Sequence, residues 1–123
     1  MRHQTPFIQI LTTTSSQEEA RRVAHSLLGQ RLAACVQILG PVESHYWWQG
    51  VVESGQEWLC VIKTHRRLFE LVARCIRQLH SYDTPEIIAV PVVAGDERYL
   101  QWLRETLPDE DAGPGRDPAL PCA

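Results

Sequence analysis

The first apolar stretch of this 123-residue sequence, Phe7 to Leu11, is broken by Gln9 and ends after five residues. That is too short for a signal-peptide core and far too short to span a bilayer, so a cytoplasmic protein without a membrane partner is expected. A basic run is also missing: 12 Lys and Arg stand against 15 Asp and Glu, a net charge of −3 with His neutral. This leaves no electrostatic footprint for a nucleic-acid backbone. The four cysteines, Cys35, Cys60, Cys75 and Cys122, lie 25, 15 and 47 positions apart, without the C-x-x-C spacing of a zinc or redox site. In a reducing compartment they are expected as free thiols. The five histidines, His3, His25, His45, His65 and His80, include no H-x-H or H-x-x-x-H pair. Any metal site must therefore be assembled by the fold or between subunits.

What is present suits one compact domain, residues 1–107, since 44% of the residues are hydrophobic. Phe7 to Leu11 reads as a strand, and TTTSS after it as the approach to a helix. Ser16 and Glu19 form an S-x-x-E capping box, and Ala20, Val23, Ala24, Leu27 and Leu28 follow as one apolar helical stripe that Gly29 closes. Leu32 to Leu39 reads as a second strand, with Pro41 marking a bend or bulge. Leu68, Leu71, Val72, Cys75, Ile76 and Leu79 define a second helix, which places Cys75 in the core as a small hydrophobe. EIIAVPVV, residues 86–93, reads as a strand covered on at least one face, and Asp96 as the cap of a last helix carrying Tyr99, Leu100, Leu103 and Leu107. The final 16 residues, 108–123, hold four prolines and two glycines and are expected to form a disordered tail. The order β-α-β-β-α-β with an added C-terminal helix predicts an α+β, ferredoxin-like sandwich.

Between the second strand and second helix, aromatic and β-branched residues flank Gln49-Gly50 on both sides, which predicts a tight turn in a long hairpin. Strands of small domains usually have about five or six residues, so this hairpin should protrude beyond its own sheet. Its tip carries Tyr46, Trp47 and Trp48. Three adjacent aromatics cannot all face one small core, and exposed strand edges invite pairing with another copy of the chain.

HSYDTPEIIA, residues 80–89, gathers His80, Ser81 and Asp83 within four positions. A serine nucleophile needs its base in hydrogen-bond reach and oriented by a third group, and neighbours in an extended turn point apart. Pro85 instead biases Thr84 toward extended backbone, and Asp83 suits a turn.

Taken together, RLAAC at 31–35, YWWQG at 46–50, VIKT at 61–64, YDTPEII at 82–88 and GDERYLQWL at 95–103 resemble the CutA divalent-cation tolerance family. The resemblance covers roughly residues 7–107. It implies a ferredoxin-like subunit in a tight homotrimer, similar to the PII signal-transduction proteins. It also implies tolerance to divalent metals, chiefly through copper binding. Where some members carry a cysteine and paired histidines, this chain has Thr12 and Leu79-His80, so His80 is the metal candidate, for Cu(II) or another divalent cation.

Lys63 ends the apolar strand WLCVIK, and Glu86 is its expected counter-charge. Lys63, Tyr82, Thr84 and Glu86, with Trp48 nearby, are expected to line a cleft between subunits, either around a small ligand or as an interface network. Cys35, the cysteine of the A-A-C segment, is a candidate for core packing or for ligation. The resulting expectation is a non-enzymatic trimer that binds divalent metal or a small-molecule signal. The alternative is an acylphosphatase-type hydrolase, in which TTTSS offers amides to an anion. An RNA-binding module of the same strand order is disfavoured, because the K/R-G-F/Y-G/A-F motif is missing.

Overall fold

The structure, a computed structural model, describes residues 5–109. The expectations for His3, Cys122 and the tail from residue 110 onward lie outside the described residues. The chain runs β1 (Phe7–Thr14), α1 (Gln17–Gly29), β2 (Cys35–Trp48), β3 (Val51–His65), a 3-10 turn (Arg66–Leu68), α2 (Phe69–Leu79), β4 (Ile88–Pro91) and α3 (Glu97–Thr106). The four strands form one antiparallel sheet in the order β2-β3-β1-β4. This is the expected α+β, ferredoxin-like arrangement with a long hairpin and an added helix.

Strand alternation sorts the sheet into two unlike faces. Ile10, Thr12, Cys60, Ile62 and Thr64 point toward the helices and are fully buried with Val23 and Leu27 of α1 and Val72 and Ile76 of α2. Leu100 and Leu103 of α3, with Leu107 after it, join the same core. The opposite face carries Leu11, Leu59, Val61 and Lys63 on the central strands, with Leu39, Ile88 and Val90 exposed on the edges.

Several boundaries differ from the sequence reading. Thr12, Thr13 and Thr14 continue β1, paired with Cys60, Leu59 and Trp58, because β-branched threonine suits a strand as well as a helix approach. Leu32, Ala33 and Ala34 are buried in the connection before β2 rather than in it, after Arg31 turns the chain with φ of 58°. β4 keeps only four residues, and its side chains are exposed, so the expected cover is not supplied within one chain. Among the cysteines, Cys35 and Cys60 are free thiols as expected, whereas Cys75, buried in the helical stripe, is disulfide-bonded.

The hairpin follows the reading closely. Gln49 and Gly50 turn it with φ of 49° and 83°, the doubly left-handed turn that matches strand twist. Between Leu39↔Leu59 and Val42↔Glu57, Gly40 and Pro41 oppose Trp58 alone, a bulge at the predicted proline. β1 accompanies β3 only from Trp58 to His65, so residues 51–57 extend beyond it by roughly 23 Å at strand rise.

Candidate functional site

The turn that follows α2 is fastened to the opening of α1. His80 ends α2, its amide bonded to Ile76 O, and its backbone then becomes extended. Its Nε2 lies 2.6 Å from Thr13 O, and its Nδ1 accepts from the Tyr82 amide at 3.0 Å. A carbonyl cannot donate and an amide cannot accept, so the ring is held as the Nε2–H tautomer with both nitrogens engaged. Neither nitrogen is left to activate Ser81, which agrees with the rejection of a His-Ser-Asp triad.

Glu19 completes the fastening. The Glu19 amide donates to Ser16 Oγ at 3.1 Å, as a capping box requires. Its carboxylate, however, does not fold back on the Ser16 amide. One oxygen accepts from the Ser15 amide at 3.1 Å and the other from the Ser81 amide at 2.9 Å. Burial pushes the Glu19 carboxyl up, but the hydrogen bonds from Ser15 and Ser81 and the nearby His80 ring outweigh it and leave the group below its ordinary value.

Beyond His80 the turn meets the hairpin. Tyr82 lies against the His80 ring with centroids 4.6 Å apart, and its hydroxyl donates to Glu57 Oε2 at 2.9 Å. Loss of solvent, then the bond to Glu57 and the charge of that carboxylate, push the phenol up to about 12. Glu86 is raised as well, by partial desolvation first and by Glu57 second. Thr84 and Asp83 are exposed on the same turn.

The second group of predicted residues sits elsewhere. Lys63 and Cys35 are directly paired across β3 and β2, on the face away from α1 and α2. Lys63 Nζ donates to Gln37 Oε1 at 2.8 Å and stands 5.9 Å from the Tyr99 ring centroid. Its expected counter-charge, Glu86, is therefore not its partner within one chain, because strand register offers it Gln37. Lys63 and Glu57 are six positions apart on β3, roughly 20 Å at strand rise. Trp48, seven positions beyond Pro41 of the bulge on β2, sits at the far end of the hairpin and is 54% exposed. One chain thus brings together His80, Tyr82 and Glu86 and leaves Lys63 with Cys35, and Trp48, apart from them.

Among the described residues, no group of three or more His, Cys, Asp and Glu side chains is placed to hold a metal ion. Cys60, across from Thr12, is fully buried, and burial followed by the charge of Glu19 pushes its thiol up to about 11. A hollow on the outer side of α3, lined by Glu97, Arg98, Gln101, Trp102 and Glu105, shares no residue with these groups. The sequence reading did not single out Glu19 or Glu57 for the site. Glu19 was visible only as a helix cap, and nothing local distinguishes Glu57 from any charged residue on a strand.

Comparison with known proteins places this arrangement. The family described as CutA1 divalent ion tolerance protein matches residues 8–106. A chloroplastic CutA 1 protein of Oryza sativa subsp. japonica is 39% identical over 101 residues, 82% of this chain and 57% of the relative. The chain therefore spans little more than half of that relative's length. The divalent-cation tolerance protein CutA of Thermus thermophilus is 44% identical over 96 residues, 78% of this chain and 93% of the relative. The crystal structure of CutA1 from Oryza sativa superposes with a TM-score of 0.83 at 36% identity, covering 88% of this chain and 99% of that one.

Proposed function

The chain belongs to the CutA1 divalent ion tolerance family, and on that premise we propose that it acts as a cytoplasmic homotrimer that binds a divalent cation such as copper, or a small-molecule signal in the PII manner, without catalysing a reaction. The observation that carries this reading is the hairpin: residues 51–57 of β3 reach past β1, and β2 is an edge strand throughout. Such edges, together with Trp47 at 73% exposure, are stabilised by pairing with other copies. The same pairing would cover the apolar sheet face that carries Leu39, Ile88 and Val90.

The donor chemistry supports a site shared between copies rather than one held by a single chain. Both His80 nitrogens are hydrogen-bonded, so the ring can ligate a cation only after Tyr82 releases Nδ1. The other donors must come from elsewhere, since the described residues of one chain do not cluster. A cleft that unites Lys63 and Cys35 with Tyr82, Thr84, Glu86 and Trp48 would likewise need neighbouring copies.

Against the acylphosphatase-type alternative stands Glu19. Its carboxylate occupies the Ser15 amide, and Ser16 Oγ occupies the Glu19 amide, at the helix start where an anion would have to sit. Light scattering on the purified protein tests the assembly, and a monomer at micromolar concentration would remove the basis of the shared site. Calorimetric titration with Cu(II) and Zn(II) tests the ligand class.

A further inference from the structure

We propose that the Tyr82–Glu57 hydrogen bond is a latch that fixes the root of the overhanging hairpin to the body of the domain. Glu57 is the first residue of β3 past the reach of β1, whose pairing ends at Thr14↔Trp58. It also lies directly opposite Val42, the first paired residue of β2 after the bulge. The hairpin pivots here, because on one side of this point the sheet is supported by β1 and on the other it is two strands alone.

Tyr82 reaches this pivot from a rigid base. The preceding residues are tied to the domain twice, by His80 to Thr13 O and by the Ser81 amide to Glu19. The His80 ring, 4.6 Å away, sets the direction of the Tyr82 phenol toward Glu57. The next residue along β3, Trp58, holds the root from the other side of the sheet, since adjacent strand residues face opposite ways. Its indole lies over Gly40 so closely that a Cβ there would stand 2.4 Å from Trp58 Cδ1. The bulge is thus held on one face by Trp58 and on the other by Tyr82, and only the Tyr82 contact is a single replaceable hydrogen bond.

A ligand that competes for the Tyr82 hydroxyl or the Glu57 carboxylate would free the hairpin, and with it the edges offered to other copies. The latch is a property of the chain itself and does not rest on which ligand the family reading assigns.

Amide hydrogen exchange on the full chain tests it. Tyr82→Phe keeps the ring against His80 and removes only the hydroxyl, while Glu57→Leu removes the acceptor. Each should speed exchange of residues 42–57 about tenfold and leave Phe7–Thr14 and α1 unchanged. Glu57→Gln, which retains an acceptor oxygen, should stay close to wild type. The double variant Tyr82→Phe/Glu57→Leu should exchange no faster than either single one, because both remove the same bond. Unchanged exchange in the single variants, additive effects in the double, or an equal rise in Phe7–Thr14 would each overturn the latch.

Discussion

Glu19 of α1 and Ser81 of the turn after α2 are 62 residues apart in sequence, and the Ser81 amide donates to Glu19 Oε2 at 2.9 Å. Glu19 is 3% exposed and its carboxylate also holds the Ser15 amide, so it joins the two helices where the candidate site begins. Removing it would leave both amides short of an acceptor. Glu19→Ala should cost about 1–3 kcal/mol, read by urea denaturation at pH 7. Because the folded carboxyl lies below its ordinary value of 4.5, its stabilisation is present above that pH and is lost as pH falls through the folded value. The gap between wild type and Glu19→Gln should therefore narrow on acidification below about 4.5, and a constant gap would contradict the assignment.

Glu86 should behave in the opposite way. Desolvation and the nearby Glu57 raise its carboxyl, so the folded state favours the protonated form and ionisation is unfavourable there. Its contribution is most favourable below the ordinary value of 4.5 and declines as pH rises through the raised value. Glu86→Gln should consequently raise the melting temperature slightly at pH 7 and lose that advantage near pH 4. A lower melting temperature at pH 7 would place a cationic partner beside Glu86.

At the bulge, Gly40→Ala would bring a methyl group 2.4 Å from Trp58 Cδ1 and force the indole off its seat. The expected cost is about 1–3 kcal/mol, as for overpacking elsewhere. Thermal unfolding followed by tryptophan fluorescence should show both the lower transition and a changed Trp58 environment. A neutral outcome would mean that the ring can shift freely.

These residues also show what local pattern reveals and what it cannot. The helical stripes, the turn at Gln49-Gly50 and the disruption at Pro41 were legible because each depends on neighbours within a few positions. The ends of β1, β2 and β4 were not, since pairing decides them: Thr12 to Thr14 are strand because Cys60, Leu59 and Trp58 lie beside them. The candidate site divides likewise. Tyr82 and Glu86 share one short turn, and their grouping could be read, but the partners Glu57 and Gln37 are delivered by β3 and β2. Lys63 met Gln37 rather than Glu86 because register, which carries no local sequence signal, sets its neighbour.

For the metal candidate, His80→Ala deletes the imidazole expected to ligate the cation. If His80 binds the cation, Cu(II) affinity by calorimetry should fall by at least the ~10–100-fold seen when an outer-shell partner of a metal ligand is lost. The same change strands Thr13 O and the Tyr82 amide, so a lower melting temperature is expected whether or not metal binds. Unchanged copper affinity beside reduced stability would assign His80 to the turn alone.

The two faces of the sheet allow assembly to be separated from folding. Ile62 is fully buried under the helices, whereas Leu39 and Val90 lie on the other face at 49% and 41% exposure. Ile62→Ala removes core contacts and should cost about 2–5 kcal/mol of stability. Leu39→Glu and Val90→Glu change half-exposed side chains on the face away from α1 and α2, so each subunit should keep its circular dichroism spectrum. If copies meet through this face, a buried unpaired carboxylate is costly there and sedimentation should show monomers. Metal or ligand binding should fall with the assembly, because the candidate residues of one chain remain in separate groups. Trimers that persist in both glutamate variants would show that the hairpin edges alone hold the copies together, and would move the shared site away from this face.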